Sequence, residues 1–183
     1  LFRSTSAVRE RLPQWVSGAV QPVIAEALAG ESLSAVIRVD GEKLFIDYEA
    51  TAVGSGYVAP SVMLEFGARS TGEPASLRDV VCDASGLIDG LIFPTARPRV
   101  MHAERTFWDK VVILHGQRRW FERRRELRRQ GQRVSRHYYD IYRLLRSDVG
   151  QRAARDLALA RDCARHARMF FNSSDLDLAL RQP

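Results

Sequence analysis

The chain has 183 residues, 45% hydrophobic and 27% charged, with a formal net charge of +6 at pH 7. That length and balance suit one good-sized core or two small ones, and no run approaches the roughly 18 to 20 apolar residues that a membrane span needs. The excess of positive charge permits a polyanionic partner such as a nucleotide, RNA or DNA. Of the 28 basic residues only Lys43 and Lys110 are lysines, an arginine bias that a GC-rich genome also produces.

The N-terminal stretch LFRSTSAVRERLPQW has no apolar block of the kind a secretory signal carries. Cys82 and Cys163 are isolated and match no metal-ligand spacing, which fits free thiols in a reducing cytoplasm. Residues 7–30 show helical spacing through Val8, Leu12, Trp15, Val16, Ala19, Val23, Ala27 and Leu28. Pro13 and Pro22 are expected to start or kink helical segments rather than sit inside one, and Gly30 is expected to cap the C-terminus. Around Asp40-Gly41 the period changes to two, with Val36, Leu44, Ile46 and Tyr48 in alternation, which predicts a β-hairpin. Ser61–Arg69 reads as a further strand, with Val62, Leu64 and Phe66 on one face and Met63, Glu65 and Gly67 on the other.

Residues 70–100 read as loops with short strands at Gly86–Phe93 and Arg99–Met101. From Ala103 the pattern becomes helical, with Phe107, Val111 and Leu114 at i, i+4 and i+7. The arginines from Arg118 to Arg136 read either as a solvated flexible loop or as a basic face for RNA. Further helices are predicted at Arg136–Arg146 and Gly150–Phe171. A sheet-forming part over 1–102 and a helical part over 103–183 together predict an α+β fold.

Three residues stand out chemically. Lys110 shares its helix face with Thr106, Phe107, Ile113 and Leu114, so its ammonium either snorkels to solvent or is held against an anion. A compact ammonium suits phosphate in a way that a planar guanidinium does not replace. Asp140 lies between Arg136 and Arg143, placed either for intrahelical ion pairing or to be aimed at Lys110, a base or a metal. Glu65 sits in an apolar strand; it needs a cationic partner if it faces inward and none if its face is the solvent side. His102, His115, His137 and His166 have no zinc-like spacing. DLDL at Asp175–Leu178 reads as a loop or helix start, capped by Ser174 or Asp175.

Taken in order, VMLEFGARSTGEP, ERTFWDKVVILH, SRHYYDIYRLL and CARHARMFF resemble the AbiEii/AbiGii nucleotidyltransferase toxins. The similarity runs from about residue 35 to 172. It implies a nucleotidyltransferase-like mixed sheet with flanking helices and a C-terminal helical part. It also implies a toxin of a toxin–antitoxin or phage-defence system that moves a nucleotide from an NTP to an RNA, such as tRNA, or to a protein hydroxyl. Lys110 would then bind nucleotide phosphates, and Asp140 would support it or the attacking hydroxyl. Arg69, Arg136 and His137 would join in nucleotide binding, with Glu65 as the sheet's acidic residue and metal ligand. Such transfer uses paired Mg²⁺ ions, yet the Gly-Ser turn and Asp-x-Asp pair that begin the family pattern do not occur here. The sequence therefore reads as a portion of a longer enzyme or as a degenerate member, and without those carboxylates metal-dependent transfer is not expected. The alternative is a non-catalytic module that binds RNA or a cognate antitoxin.

Overall fold

A computed structural model describes residues 5–51, 54, 56–57, 59–67, 70–127 and 134–171. The chain divides into two compact units, Leu1–Ser70 and Thr71–Pro183. This division and the sequence's change from sheet to helix near residue 102 are different boundaries, because a small two-stranded ribbon belongs with the helices. The described residues form an α+β fold, with antiparallel sheets of three and two strands among them. Among the described residues no helix is long and apolar enough to cross a membrane.

The first unit opens with α1 (Thr5–Trp15), a π-helical turn (Val16–Val20) and α2 (Gln21–Gly30). Pro22 starts α2 as predicted, but Pro13 lies inside α1. The wide turn that follows absorbs the disruption. Its closing bond runs five residues, from the Gln21 N–H to the Val16 carbonyl, and the Ser17 hydroxyl donates back to the Pro13 and Gln14 carbonyls. A π-turn of this kind accommodates an interrupted ladder without ending the helix. Gly30 does not take the left-handed capping position; Ser32 does, at φ 55°. The Leu33 N–H bonds the Leu28 carbonyl at 2.9 Å and the Ser32 N–H bonds that of Ala29 at 3.1 Å, the bond pair of a Schellman cap.

The hairpin forms as predicted, with β1 (Ala35–Asp40) and β2 (Lys43–Tyr48) joined by Gly41-Glu42. Gly41 has φ 59°, and positive φ at the first loop residue alone is the pattern of a type II′ turn. β3 (Ser61–Glu65) completes the sheet beside β2. Ile37, Val39, Leu44, Ile46 and Leu64 face Leu12, Val16, Val20 and Ile24 of the continuous N-terminal helix, forming this unit's core. Val36 points the other way and is exposed.

In the second unit β4 (Ala75–Leu77) pairs with β5 (Arg99–Met101). β4 was not anticipated, and the strand predicted at Gly86–Phe93 does not form. Residues 83–90 run through turns and bends instead, with Gly86 at φ 80° and Gly90 at φ 77°. Positive φ at both glycines breaks the extended geometry a strand needs.

Then come α3 (Ala103–Arg124), α4 (Val134–Leu145), α5 (Asp148–Arg155) and α6 (Leu157–Phe171). α3 runs to Arg124, so the first half of the arginine-rich segment is helix rather than loop. There Glu122 pairs with Arg118 and Arg119, and the Arg124 guanidinium lies over the Trp120 ring. The single helix predicted over 150–171 is broken at Asp156, whose carboxylate accepts the Leu159 N–H at 2.9 Å as the cap of α6. A side chain that satisfies an orphan donor makes the second start favourable.

This unit's core gathers Val112, Leu159, Cys163, Ala164 and Ala167, with Trp108 packed against it. The Trp108 indole N–H donates to the Ala153 carbonyl at 2.9 Å, pinning α3 to α5. Trp108→Phe keeps most of the ring but removes that bond, while the Ala153 carbonyl still accepts the Asp156 N–H at 3.0 Å, so urea titration is expected to show a loss of about 0.5–1.5 kcal/mol. An unchanged midpoint would show that the bond contributes nothing.

Candidate functional site

α3 packs against α4, α5 and α6, and neighbouring residues along it therefore face different partners. A helix turns about 100° per residue. Consequently Asp109 is directed toward Arg105 and Cys163, whereas Lys110 reaches α4. There the Lys110 Nζ donates to Asp140 Oδ2 at 2.6 Å. The lysine side chain is 21% exposed and the aspartate 38%, so the ammonium is held against an anion rather than snorkelling free. Asp140 thus pairs across helices, while Arg143 lies over the Tyr139 ring at 5.9 Å from its centroid.

The Lys110 hydrogen bond, above all, holds the Asp140 carboxyl below its ordinary value of 3.8; burial opposes this, and the charges of Lys110, His137 and Arg136 add to it. A carboxylate so stabilised stays charged well into acid, which makes it a weak base and a dependable holder of a cation. His137, one turn before Ile141, lies on the same side of α4. Burial, followed by the Lys110 and Arg136 charges, pushes its pKa below 6.5. Its Nδ1 is buried with no hydrogen-bond partner. A neutral imidazole thus borders the Lys110–Asp140 pair at neutral pH.

His115 and His166 are depressed as well, in both cases chiefly by burial and then by nearby guanidiniums. A histidine whose folded pKa lies below its unfolded value binds its proton more readily once unfolded. The stability it contributes is complete above pH 6.5 and is lost as pH falls through that value. Urea midpoints are therefore expected to drop between pH 7.5 and 5. The depressed carboxylates Asp47, Glu104, Glu122 and Asp140 lose their contribution only lower, below their ordinary values near 4. A flat profile from pH 7.5 to 5 would contradict the histidine burial.

Sequence reasoning missed Arg105, which is 3% exposed. Its Nε donates to both Asp109 oxygens at 3.2 Å, and its Nη1 donates to the Glu73 carbonyl at 3.1 Å. The i, i+4 spacing of Arg105 and Asp109 was the available signal. Asp109 also bonds Cys163, whose thiol is pushed up to about 12, chiefly by burial. That thiol is inert at neutral pH. The cluster fixes the rotation of α3, and with it the direction of Lys110.

Arg136 is exposed on α4. Glu65 is exposed on the sheet face that turns away from the first unit's core, directly opposite Lys43, which matches the solvent-side alternative. Arg69, Ser174 and the DLDL stretch lie outside the described residues. Among the described residues no group of three His, Cys, Asp or Glu could hold a metal, and Asp140 already engages an ammonium. These residues do not form a donor set for Mg²⁺.

The family model for the nucleotidyl transferase AbiEii toxin, type IV TA system, matches residues 3–182. No curated protein and no solved structure matches the chain.

Proposed function

Because the chain belongs to the AbiEii family of nucleotidyl transferase toxins of type IV toxin–antitoxin systems, we propose that its helical unit grips the phosphates of an NTP whose nucleotide is passed to a cytoplasmic RNA such as tRNA. What supports this reading is the 2.6 Å contact between Lys110 and Asp140, made by facing helices within one unit. In such a transfer an RNA hydroxyl oxygen bonds to the α-phosphorus, its proton passes to solvent water, the bond from the α-phosphorus to the bridging oxygen breaks, and diphosphate leaves. Lys110 offers a mobile point charge to the oxygens that gain negative charge. Asp140 orients that ammonium; its depressed pKa disfavours a role as proton acceptor. Neutral His137 keeps a second positive charge from competing for Asp140.

Arg136, exposed on α4 one turn before Asp140, is a further nucleotide contact within the helical unit, and Glu65 is tested separately as the sheet's acidic residue. Family membership also implies a cognate antitoxin. The test is transfer of label from each α-labelled NTP to total RNA by the full-length toxin, with Glu65→Gln assayed beside it. Label in one RNA class supports transfer; RNA binding without any label would make the chain a binding module instead.

A further inference from the structure

α4 turns three tyrosines to solvent. Tyr138, Tyr139 and Tyr142 are 58%, 59% and 53% exposed, while Val134, His137, Ile141 and Leu144 supply the helix's half-buried side. The core therefore does not need these rings. Tyr138 and Tyr142 are one turn apart, and Tyr139 is three residues before Tyr142, so the three form one surface. Guanidiniums flank two of them. Arg143 lies 5.9 Å from the Tyr139 ring centroid, and Arg146 lies 5.4 Å from that of Tyr142. Arg146 Nη1 also donates to the Tyr142 hydroxyl at 2.7 Å. The only acid on α4 is Asp140, and Lys110 neutralises it.

Exposed flat rings bracketed by cations form a platform on which unpaired bases stack while arginines meet phosphates. A duplex keeps its bases stacked on one another and cannot use it. The position is also suggestive, since Tyr139 directly precedes Asp140 and Arg143 follows it by one turn. We propose that this Tyr–Arg face of α4 binds unpaired RNA and seats the single-stranded end whose hydroxyl receives the nucleotide. Its role in transfer rests on the reading given above; the binding itself does not.

The experiment uses a fluorescent, unstructured RNA 12-mer and measures its affinity for the full chain at fixed salt. Tyr139→Ala/Tyr142→Ala is expected to weaken binding by about tenfold or more for each ring lost. Tyr139→Phe/Tyr142→Phe, which keeps the rings, is expected to bind nearly as well as the parent. An abasic 12-mer should bind the parent as poorly as the intact RNA binds the alanine variant, and a blunt duplex should bind no better than the abasic strand. Equal affinity of the alanine variant and the parent would overturn the proposal, as would a phenylalanine variant as weak as the alanine one. So would an alanine variant that keeps RNA but loses the cognate antitoxin, which would make the face a protein-binding surface. Lys110→Ala separates the two readings. If it still transfers label while the tyrosine variant loses RNA, the phosphate site fails and the face stands. If it stops transfer while the tyrosine variant binds normally, the face fails alone.

Discussion

Lys110→Ala is expected to lower nucleotide incorporation by the full-length toxin at least about 100-fold, the scale of losing one charge-stabilising donor. The fold should survive, because the lysine lies at the edge of the core and its aspartate partner is more than one-third exposed, so neither is stranded in an apolar interior. Lys110→Arg is informative because it preserves charge. A guanidinium is planar and weakly hydrated, and it prefers a two-pronged contact with carboxylate. It should bind Asp140 and fail to release it to phosphate, restoring little activity. Asp140→Asn should lose most of the activity too, since an amide cannot hold the ammonium as firmly. If the two residues act as one device, Lys110→Ala combined with Asp140→Asn should be no slower than the worse single variant. Rates that multiply would show two independent contributions, and wild-type labelling in either single variant would remove that residue from the site.

The sequence pattern makes this pair only partly legible. The apolar stripe around Lys110 shows that its side chain leaves α3 at a core edge, but not which helix stands opposite. The spacing of Arg136, Asp140 and Arg143 favours ion pairs within α4 just as well. It takes packing to bring α3 and α4 together, and that depends on contacts remote in sequence, such as Trp108 with Ala153. The hairpin was legible because Asp40-Gly41 and period-two alternation are local signals. The failures are also local in origin. Apolar Gly86–Phe93 resembles a strand in composition, but two glycines at positive φ turn it. Asp156 interrupts an otherwise helical run because its side chain caps the next helix better than it would sit inside one. Arg105 escaped notice because an arginine in a basic chain reads as surface until its burial is known.

Gly150→Ala is expected to be among the most damaging single-methyl changes in the second unit. Glycine inside a helix costs about 1 kcal/mol relative to alanine, so α5 would gain from the substitution if space allowed. It does not. A Cβ at Gly150 would lie 2.3 Å from the Leu144 carbonyl oxygen, 2.6 Å from Leu145 Cα and 2.7 Å from the Leu144 carbonyl carbon. All three are backbone atoms, which no rotamer change can move. The same Leu144 carbonyl accepts the Ser147 N–H at 3.0 Å and its hydroxyl at 2.7 Å, so the α4–α5 corner would have to open and break both bonds. Overpacking of this kind costs about 3 kcal/mol, more than the helix propensity returns. The contrasting variant is Gly18→Ala, where nothing lies within 4 Å of the added methyl and about 0.4–1 kcal/mol of stabilisation is expected. Thermal and urea unfolding should therefore shift in opposite directions for the two variants. Because α4 carries Asp140, opening that corner should also loosen the Lys110 contact, and transfer should weaken even at temperatures where Gly150→Ala remains folded. A Gly150→Ala protein as stable and as active as its parent would mean that α5 does not bear on α4 this closely.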